Sequence, residues 1–152
     1  MTGYRNIVIL VACAGLLICL QPVSAYAQDD IQSMKQTAWH DIEECTQADT
    51  AGDYQTAITW CPRAEVDWNN IAWKVSGEAY YDAMMRVGVA AQDFADALAS
   101  TGDRYAAWAA VNQAIKELTM VVERSKSANT VYYSKQALST AQALREHIKG
   151  MP

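Results

Sequence analysis

Apolar residues recur every three or four positions from Ile31 to the C-terminus, which is the period of helices that bury one face. Glycine and proline are scarce and runs of β-branched residues are short, so the pattern predicts an all-α domain. Gly52 is expected to end the first helix, Pro62 to kink the second and Gly88 to separate two later ones. The stripes predict six helices, at about 31–48, 54–66, 69–86, 89–101, 105–124 and 129–149.

The first 27 residues follow another pattern. Arg5 precedes an uninterrupted apolar stretch from Ile7 to Leu20, and the sequence Ala-Tyr-Ala at 25–27 supplies the small residues that a signal peptidase requires. The apolar stretch is shorter than the about 20 residues of a membrane-spanning helix. We therefore expect a cleaved export signal at 1–27, a single domain at 28–152, and no stable membrane insertion after cleavage.

An alternative is a lipoprotein. The sequence Leu-Val-Ala-Cys at 10–13 resembles a lipobox, which would leave a lipid anchor on Cys13. Against this, the apolar residues 14–20 would stand where lipoproteins usually carry a polar tether. The predicted location is periplasmic or secreted, with attachment through Cys13 as the alternative.

Export also changes the role expected of the cysteines. Cys13 and Cys19 lie in the predicted signal, which leaves Cys45 and Cys61. An even pair in an oxidising compartment predicts a disulfide. The two residues lie at similar distances on either side of the Gly52 turn, so an antiparallel hairpin brings them to the same level. The spacing matches neither the CxxC of a redox pair nor the CxxCH of covalent haem.

Charge narrows the function classes. The whole chain carries a net charge of −5, and losing the signal, with Arg5 and no acidic residue, makes it −6. Such a chain is a poor candidate for binding nucleic acid. Residues 28–67 hold nine acidic and two basic groups, whereas residues 104–152 hold seven basic and three acidic groups. This asymmetry marks either solvated helix faces or a pole that steers a charged partner.

Trp39, Trp73 and Trp108 are spaced by 34 and 35 residues, and small residues repeat on the helices that follow. The motif W-x2-S-G-x2-Y at 73–80, followed by A-x3-F-x2-A at 90–97, resembles the signature of the tetratricopeptide-repeat family. The turn A-G-D-Y-Q-T-A-I at 51–58 is similar to that family's inter-helix turn. The resemblance implies antiparallel helix pairs stacked as a short tetratricopeptide-like array of about three units over 31–149. The alternative is an irregular helical bundle in which 69–101 is one long helix.

The resemblance also implies a binding surface. The inner face of such arrays is lined by first-helix residues at fixed offsets from the tryptophan, and binds a peptide or a protein segment. By position, Ala109 belongs to this face, as do the candidate binding residues His40, Glu44, Gln47, Lys74, Glu78, Tyr81, Gln113 and Lys116. We expect Trp60, Trp68 and Trp108 to pack internally. In each of the pairs Tyr80-Tyr81 and Tyr132-Tyr133, one ring should pack inside and the other stay exposed.

Catalytic and metal motifs are missing from the sequence. His40 and His147 are the only histidines, and neither belongs to an HExxH motif. No GxSxG elbow and no phosphate-binding glycine loop occurs. We therefore expect no enzyme activity, metal or cofactor. The predicted function is an exported protein–protein interaction module, such as an adaptor, assembly factor or inhibitor in the cell envelope. The alternative is a helical bundle that binds a small apolar ligand or cofactor between its helices.

Overall fold

A computed structural model describes residues 22–152, with side chains from Asp29 onward. The chain divides into two compact units, 1–33 and 34–152, and the packing described below is that of the second. This described part is all-α, as predicted. Its helices are α1 (Pro22–Ala51), α2 (Tyr54–Ala72), α3 (Glu78–Ser100), α4 (Arg104–Arg124) and α5 (Ala128–Gly150).

The predicted signal lies mostly outside the described residues, since 1–21 are not described, and Cys13 is among them. The expected cleavage site at 25–27 falls in the first two turns of α1. Among the described residues, no helix combines the length and hydrophobicity that crossing a membrane requires.

Two turns that share a Gly-Asp pair join α1 to α2 and α3 to α4. Gly52 and Gly102 end their helices with φ of 75° and 89°, a left-handed conformation that favours glycine. Asp53 N donates to Ala48 O at 2.9 Å, as the corresponding Asp103 N does to a carbonyl of α3. The carboxylates of both aspartates then accept a backbone N–H of the next helix, at 3.3 Å and 3.0 Å. Each Gly-Asp pair therefore ends one helix and caps the next.

At the opposite end, Glu78 holds the turn between α4 and α5. Its carboxylate accepts Ser125 Oγ at 2.6 Å and the backbone N–H groups of Lys126 and Ser127 at 3.0 Å and 3.1 Å. These donors lower the pKa of Glu78 by stabilising its charged form. The start of α3 is thereby tied to the start of α5.

Helix α3 lies at the centre of the packing, in contact with α2, α4 and α5. One core of apolar residues runs through 38–148, and alanines supply much of it, which lets the helices approach closely. A second, smaller cluster surrounds the predicted disulfide, which is present: Cys45 and Cys61 are bonded, with their Cα atoms 4.7 Å apart. The members of this cluster are Cys45, Ala48, Ala57, Cys61 and Ala97.

The two hairpins α1–α2 and α3–α4 bury matching positions at an offset of 50 residues. The Gly-Asp turns at 52–53 and 102–103 have this offset, and α5 (128–150) has it relative to α3 (78–100). The structural repeat therefore differs from the 34- and 35-residue spacing of the tryptophans. On α4 the buried residues are Ala107, Val111, Ala114, Leu118 and Val121. On α2 they are the five equivalent residues, Ala57, Cys61, Ala64, Trp68 and Ile71, and in addition Ala72.

The predicted helices at 69–86 and 89–101 are wrong. Residues 69–72 complete α2, 73–77 form a connection, and 78–100 form the single helix α3. Gly88 lies inside α3 rather than at a break. Leu118 packs closely against it, and a Cβ at this position would be 2.7 Å from Leu118 Cγ, so the contact favours glycine. The alternative of one helix across 69–101 is wrong too, since the chain breaks at 73–77. Pro62 lies within α2 without ending it.

This correction moves the middle unit of the predicted repeat. Trp73 lies in the connection rather than on a first helix, and Tyr80 shares α3 with Phe94 instead of belonging to the preceding helix. The helix boundaries implied by the family resemblance are therefore wrong in this unit, whereas stacked antiparallel pairs are what the structure shows.

Candidate functional site

The predicted binding residues fall in several parts of the structure. His40, Glu44 and Gln47 lie on α1, where His40 Nδ1 is 4.0 Å from Glu44 Oε1. The His40 ring also packs edge-on against Trp60, with ring centroids 5.5 Å apart. This part of the set forms a surface of the first hairpin.

The middle three residues lie elsewhere. Lys74 is exposed in the connection before α3, Glu78 begins α3, and Tyr81 is half-buried on α3 with its ring against Tyr80. The carboxylate of Glu78 is occupied by the turn at 125–127, as described above. The offsets from the tryptophan assume that it lies on a helix, as Trp39 does on α1. Trp73 lies in a connection, so the same offsets do not put Lys74, Glu78 and Tyr81 on one helix face.

Gln113 and Lys116 lie on α4. Gln113 Nε2 donates to Glu65 Oε1 at 2.6 Å, which joins α4 to α2, and Lys116 Nζ is 3.9 Å from Glu117 Oε1. Burial raises the pKa of Glu65, and this hydrogen bond opposes the rise. The role of the whole set in binding stays a prediction.

A different surface stands out where α4 begins and α5 ends. Arg104, Tyr105, Trp108 and Lys149 line a groove of about 500 Å³, which we call the α4–α5 groove. Tyr105 is 88% exposed and Trp108 40% exposed. They are three residues apart on one helix, so their rings lie on the same side. Trp108 was expected to pack internally, and that prediction is wrong.

The cations of the groove are held in place. Arg104 Nη2 donates to the Lys149 carbonyl at 3.0 Å, which fastens the start of α4 to the end of α5. Lys149 Nζ lies 3.5 Å from Glu146 Oε2. The groove therefore combines two accessible aromatic rings with two positive side chains, a combination that is common at interaction surfaces.

The other tyrosine and tryptophan expectations have mixed outcomes. Trp68 is buried, as expected, and Tyr80 and Tyr81 are both half-buried. Tyr132 and Tyr133 are 57% and 58% exposed, so neither ring packs inside. They lie in the second turn of α5, and the buried positions of this part of the helix are those of Thr130 and Ser134.

Carboxylates line a second cleft, of about 450 Å³, between α1, α3 and α5. Burial, with repulsion from Asp96 and Asp93, raises the pKa of Asp49 to about 7. Burial also raises the pKa of Asp93 to about 6, although Thr46 Oγ1 donates to it at 2.9 Å. Asp93 Oδ2 is 3.9 Å from Cys45 Sγ. Among the described residues, no three His, Cys, Asp or Glu side chains are grouped to hold a metal ion.

Of two further polar clusters, one lies within the first hairpin and the other joins that hairpin to α3. Asp41 is buried and pairs with Arg63 at 3.5 Å, while the Arg63 guanidinium stacks 4.3 Å from the Trp60 ring centre. The Arg86 guanidinium of α3 lies over the rings of both Trp39 and Trp68, 3.9 Å and 4.9 Å from their centres. These cations are engaged by carboxylates and rings of the protein itself, so their role is structural.

No family model, curated protein or solved structure matches this chain. The choice of the α4–α5 groove as candidate site therefore rests on the geometry of the described residues.

Proposed function

We propose that this protein is an exported protein–protein interaction module that binds its partner through the α4–α5 groove. The observation that carries the proposal is the pair of accessible rings, Tyr105 and Trp108, between the cations Arg104 and Lys149. Exposed aromatic residues next to arginine are typical of the positions that contribute most to binding between proteins.

The cell envelope is the proposed site of action, with adaptor, assembly factor or inhibitor as the class of role. The signal pattern at 1–27 supports export. The disulfide between Cys45 and Cys61 supports it independently, because cytoplasmic thiols are kept reduced. The protein is proposed to be periplasmic or secreted.

The second candidate function is binding of a small apolar ligand. The volume of the groove favours it, since about 500 Å³ lies within the range of small-molecule sites. Native mass spectrometry of protein purified from its own host tests this candidate: a retained ligand appears as added mass that disappears on denaturation.

Site-specific cross-linking tests the main proposal. A photoreactive phenylalanine analogue replaces Tyr105 in the groove, and in matched proteins it replaces Tyr132 or Lys74, which are also exposed. We expect a defined adduct with another envelope protein from position 105 and none from position 132. An adduct from position 74 alone would move the interface to the face predicted from the tryptophan spacing.

A further inference from the structure

We infer that the partner segment that binds the α4–α5 groove is acidic and carries a bulky apolar side chain as its anchor. This inference rests on the proposed function, whose site it shares. It concerns the chemistry of the partner, which the exposed rings alone do not determine.

The apolar anchor follows from a comparison within the molecule. The position equivalent to Trp108 in the first hairpin is Ile58, at the offset of 50 residues. Ile58 is half-buried against both core clusters, where Phe94 of α3 also packs. In the first hairpin, this position is therefore covered by the protein's own apolar side chains. In the second hairpin, the larger Trp108 stays accessible, so an apolar group from a partner gains contact area there.

The acidic character follows from charge. Arg104 uses one of its five N–H donors on the Lys149 carbonyl, which fixes the guanidinium and leaves donors for a carboxylate. Lys149 adds a second positive charge, partly offset by Glu146. Residues 104–152 together hold seven basic and three acidic groups. A segment with carboxylates on each side of its anchor complements this arrangement.

Anionic lipid is the competing source of negative charge, because aromatic and basic residues also occur together at membrane surfaces. Membrane surfaces with anionic lipids attract clusters of about four to eight basic residues. Among the described residues, the groove is lined by two positive side chains, one of them offset by Glu146, and the whole chain carries a net charge of −5. We therefore propose a protein segment, and the lipid is an outcome of the test.

The experiment is a selection of random twelve-residue peptides displayed on phage against the protein purified after export. A Tyr105→Ser, Trp108→Ser double variant serves for comparison. We expect selected peptides in which Asp and Glu flank Trp, Phe or Leu, and we expect the double variant to lose them. Because both replaced residues are exposed, we expect the variant to fold. Circular dichroism checks this.

Charge variants then measure the electrostatic part with the strongest peptide selected. Lys149→Gln should weaken its binding about two- to fivefold, the range of one exposed ion pair. Lys135→Gln removes the same charge about 21 Å away along α5 and should leave affinity unchanged. Replacing the peptide's acidic residues by glutamine should weaken binding further. Added salt should reduce the difference in affinity between the acidic peptide and this glutamine peptide.

The possible failures are distinguishable. Peptides that need Tyr105 and Trp108 but are neutral or basic would overturn the inference and leave the proposed function standing. If no peptide is selected, or if the double variant selects the same peptides, both fail. Binding of the protein to phosphatidylglycerol vesicles through these two residues, without peptide selection, would assign the groove to a membrane surface instead.

Discussion

The hairpins α1–α2 and α3–α4 share the same turn and several buried positions, but different contacts hold their helices together. Both have a Gly-Asp turn with the same backbone hydrogen bonds, and the two second helices share five buried positions. The contacts between their helices differ. Trp68 Nε1 donates to the Ala38 carbonyl at 3.1 Å in the first hairpin, whereas Leu118 packs directly on Gly88 in the second. These residue pairs are equivalent at the offset of 50.

The hairpins also differ at the position of the disulfide. Cys45 and Cys61 correspond to Ala95 and Val111, so the first hairpin has a covalent bond where the second has two buried apolar residues. The first hairpin also holds the buried Asp41. A polar and covalent set of contacts thus supports one helix pair, and close steric fit supports the other. Each can be disturbed separately.

The largest effect is expected from removal of the disulfide. Cys45→Ala with Cys61→Ala releases a link between residues 16 apart, and the unfolded chain regains entropy worth about 3 kcal/mol. Urea denaturation of the oxidised protein and of the double variant measures this loss. Equal midpoints for the two proteins would contradict it.

The same experiment can be reversed in the second hairpin. If the hairpins are equivalent, Ala95→Cys with Val111→Cys should form a disulfide in the exported protein. Thiol labelling before and after reduction detects it. Two free thiols at these positions, beside an intact native disulfide, would show that the equivalence does not extend to backbone spacing.

A smaller loss is expected from Gly88→Ala. The added Cβ would be 2.7 Å from Leu118 Cγ and 2.9 Å from Leu118 Cδ2, so the Leu118 side chain or the helix that carries it must move. Overpacking should cost about 1 to 2 kcal/mol after the better helix propensity of alanine is counted. Gly150→Ala is the matched control, because a Cβ there meets nothing within 4 Å. Leu118→Ala should reduce the cost of Gly88→Ala in a double-mutant cycle, and strict additivity would contradict the contact.

Much of this arrangement was accessible from the sequence. The 3.6-residue period and the Gly-Asp turn predict helices and the first hairpin, and the cysteines on either side of Gly52 predict the disulfide. The second turn, at 102–103, has the same Gly-Asp pair as the first. This recurrence after 50 residues is the feature of the sequence that indicates the structural repeat. The tryptophan spacing concealed that repeat, because Trp39 lies on α1, Trp73 in a connection and Trp108 in the groove.

Other features depend on tertiary contacts. A glycine that interrupts a helix and one that admits a neighbouring helix look alike in sequence, and Leu118, far along the chain, distinguishes the two at Gly88. Likewise, the apolar period of α4 includes Trp108 without showing that its ring stays accessible. The candidate groove therefore required the structure, since Arg104 and Lys149 meet only when α4 and α5 pack.

A gain in stability is expected from Asp49→Asn. Because the folded-state pKa of Asp49 is raised to about 7 from 3.8, the native state binds the proton more tightly than the unfolded state. Stability of the wild type should therefore fall as pH rises from about 4 to 7. Burial is the larger cause of this pKa shift, and repulsion from Asp96 and Asp93 is the smaller one. Because Asp49 is only half-buried, solvent reduces both effects, so the variant should gain about 1 kcal/mol at pH 8. Thermal unfolding from pH 4 to pH 8 measures both effects, and a wild type that gains stability over this range would contradict them.

The smallest effect compares the two caps directly. Asp53→Ala and Asp103→Ala each remove an exposed side chain that accepts a helix N–H, at 3.3 Å and 3.0 Å, so each should cost about 0.5 to 1 kcal/mol. Asp53 also accepts Thr56 Oγ1 at 2.8 Å, but that hydroxyl is exposed and water replaces the bond at little cost. The two variants should therefore unfold at nearly the same urea concentration. A clearly larger loss for Asp103→Ala would show that the disulfide, present in the first hairpin alone, retains structure around its turn in the unfolded chain and so masks the contribution of the cap.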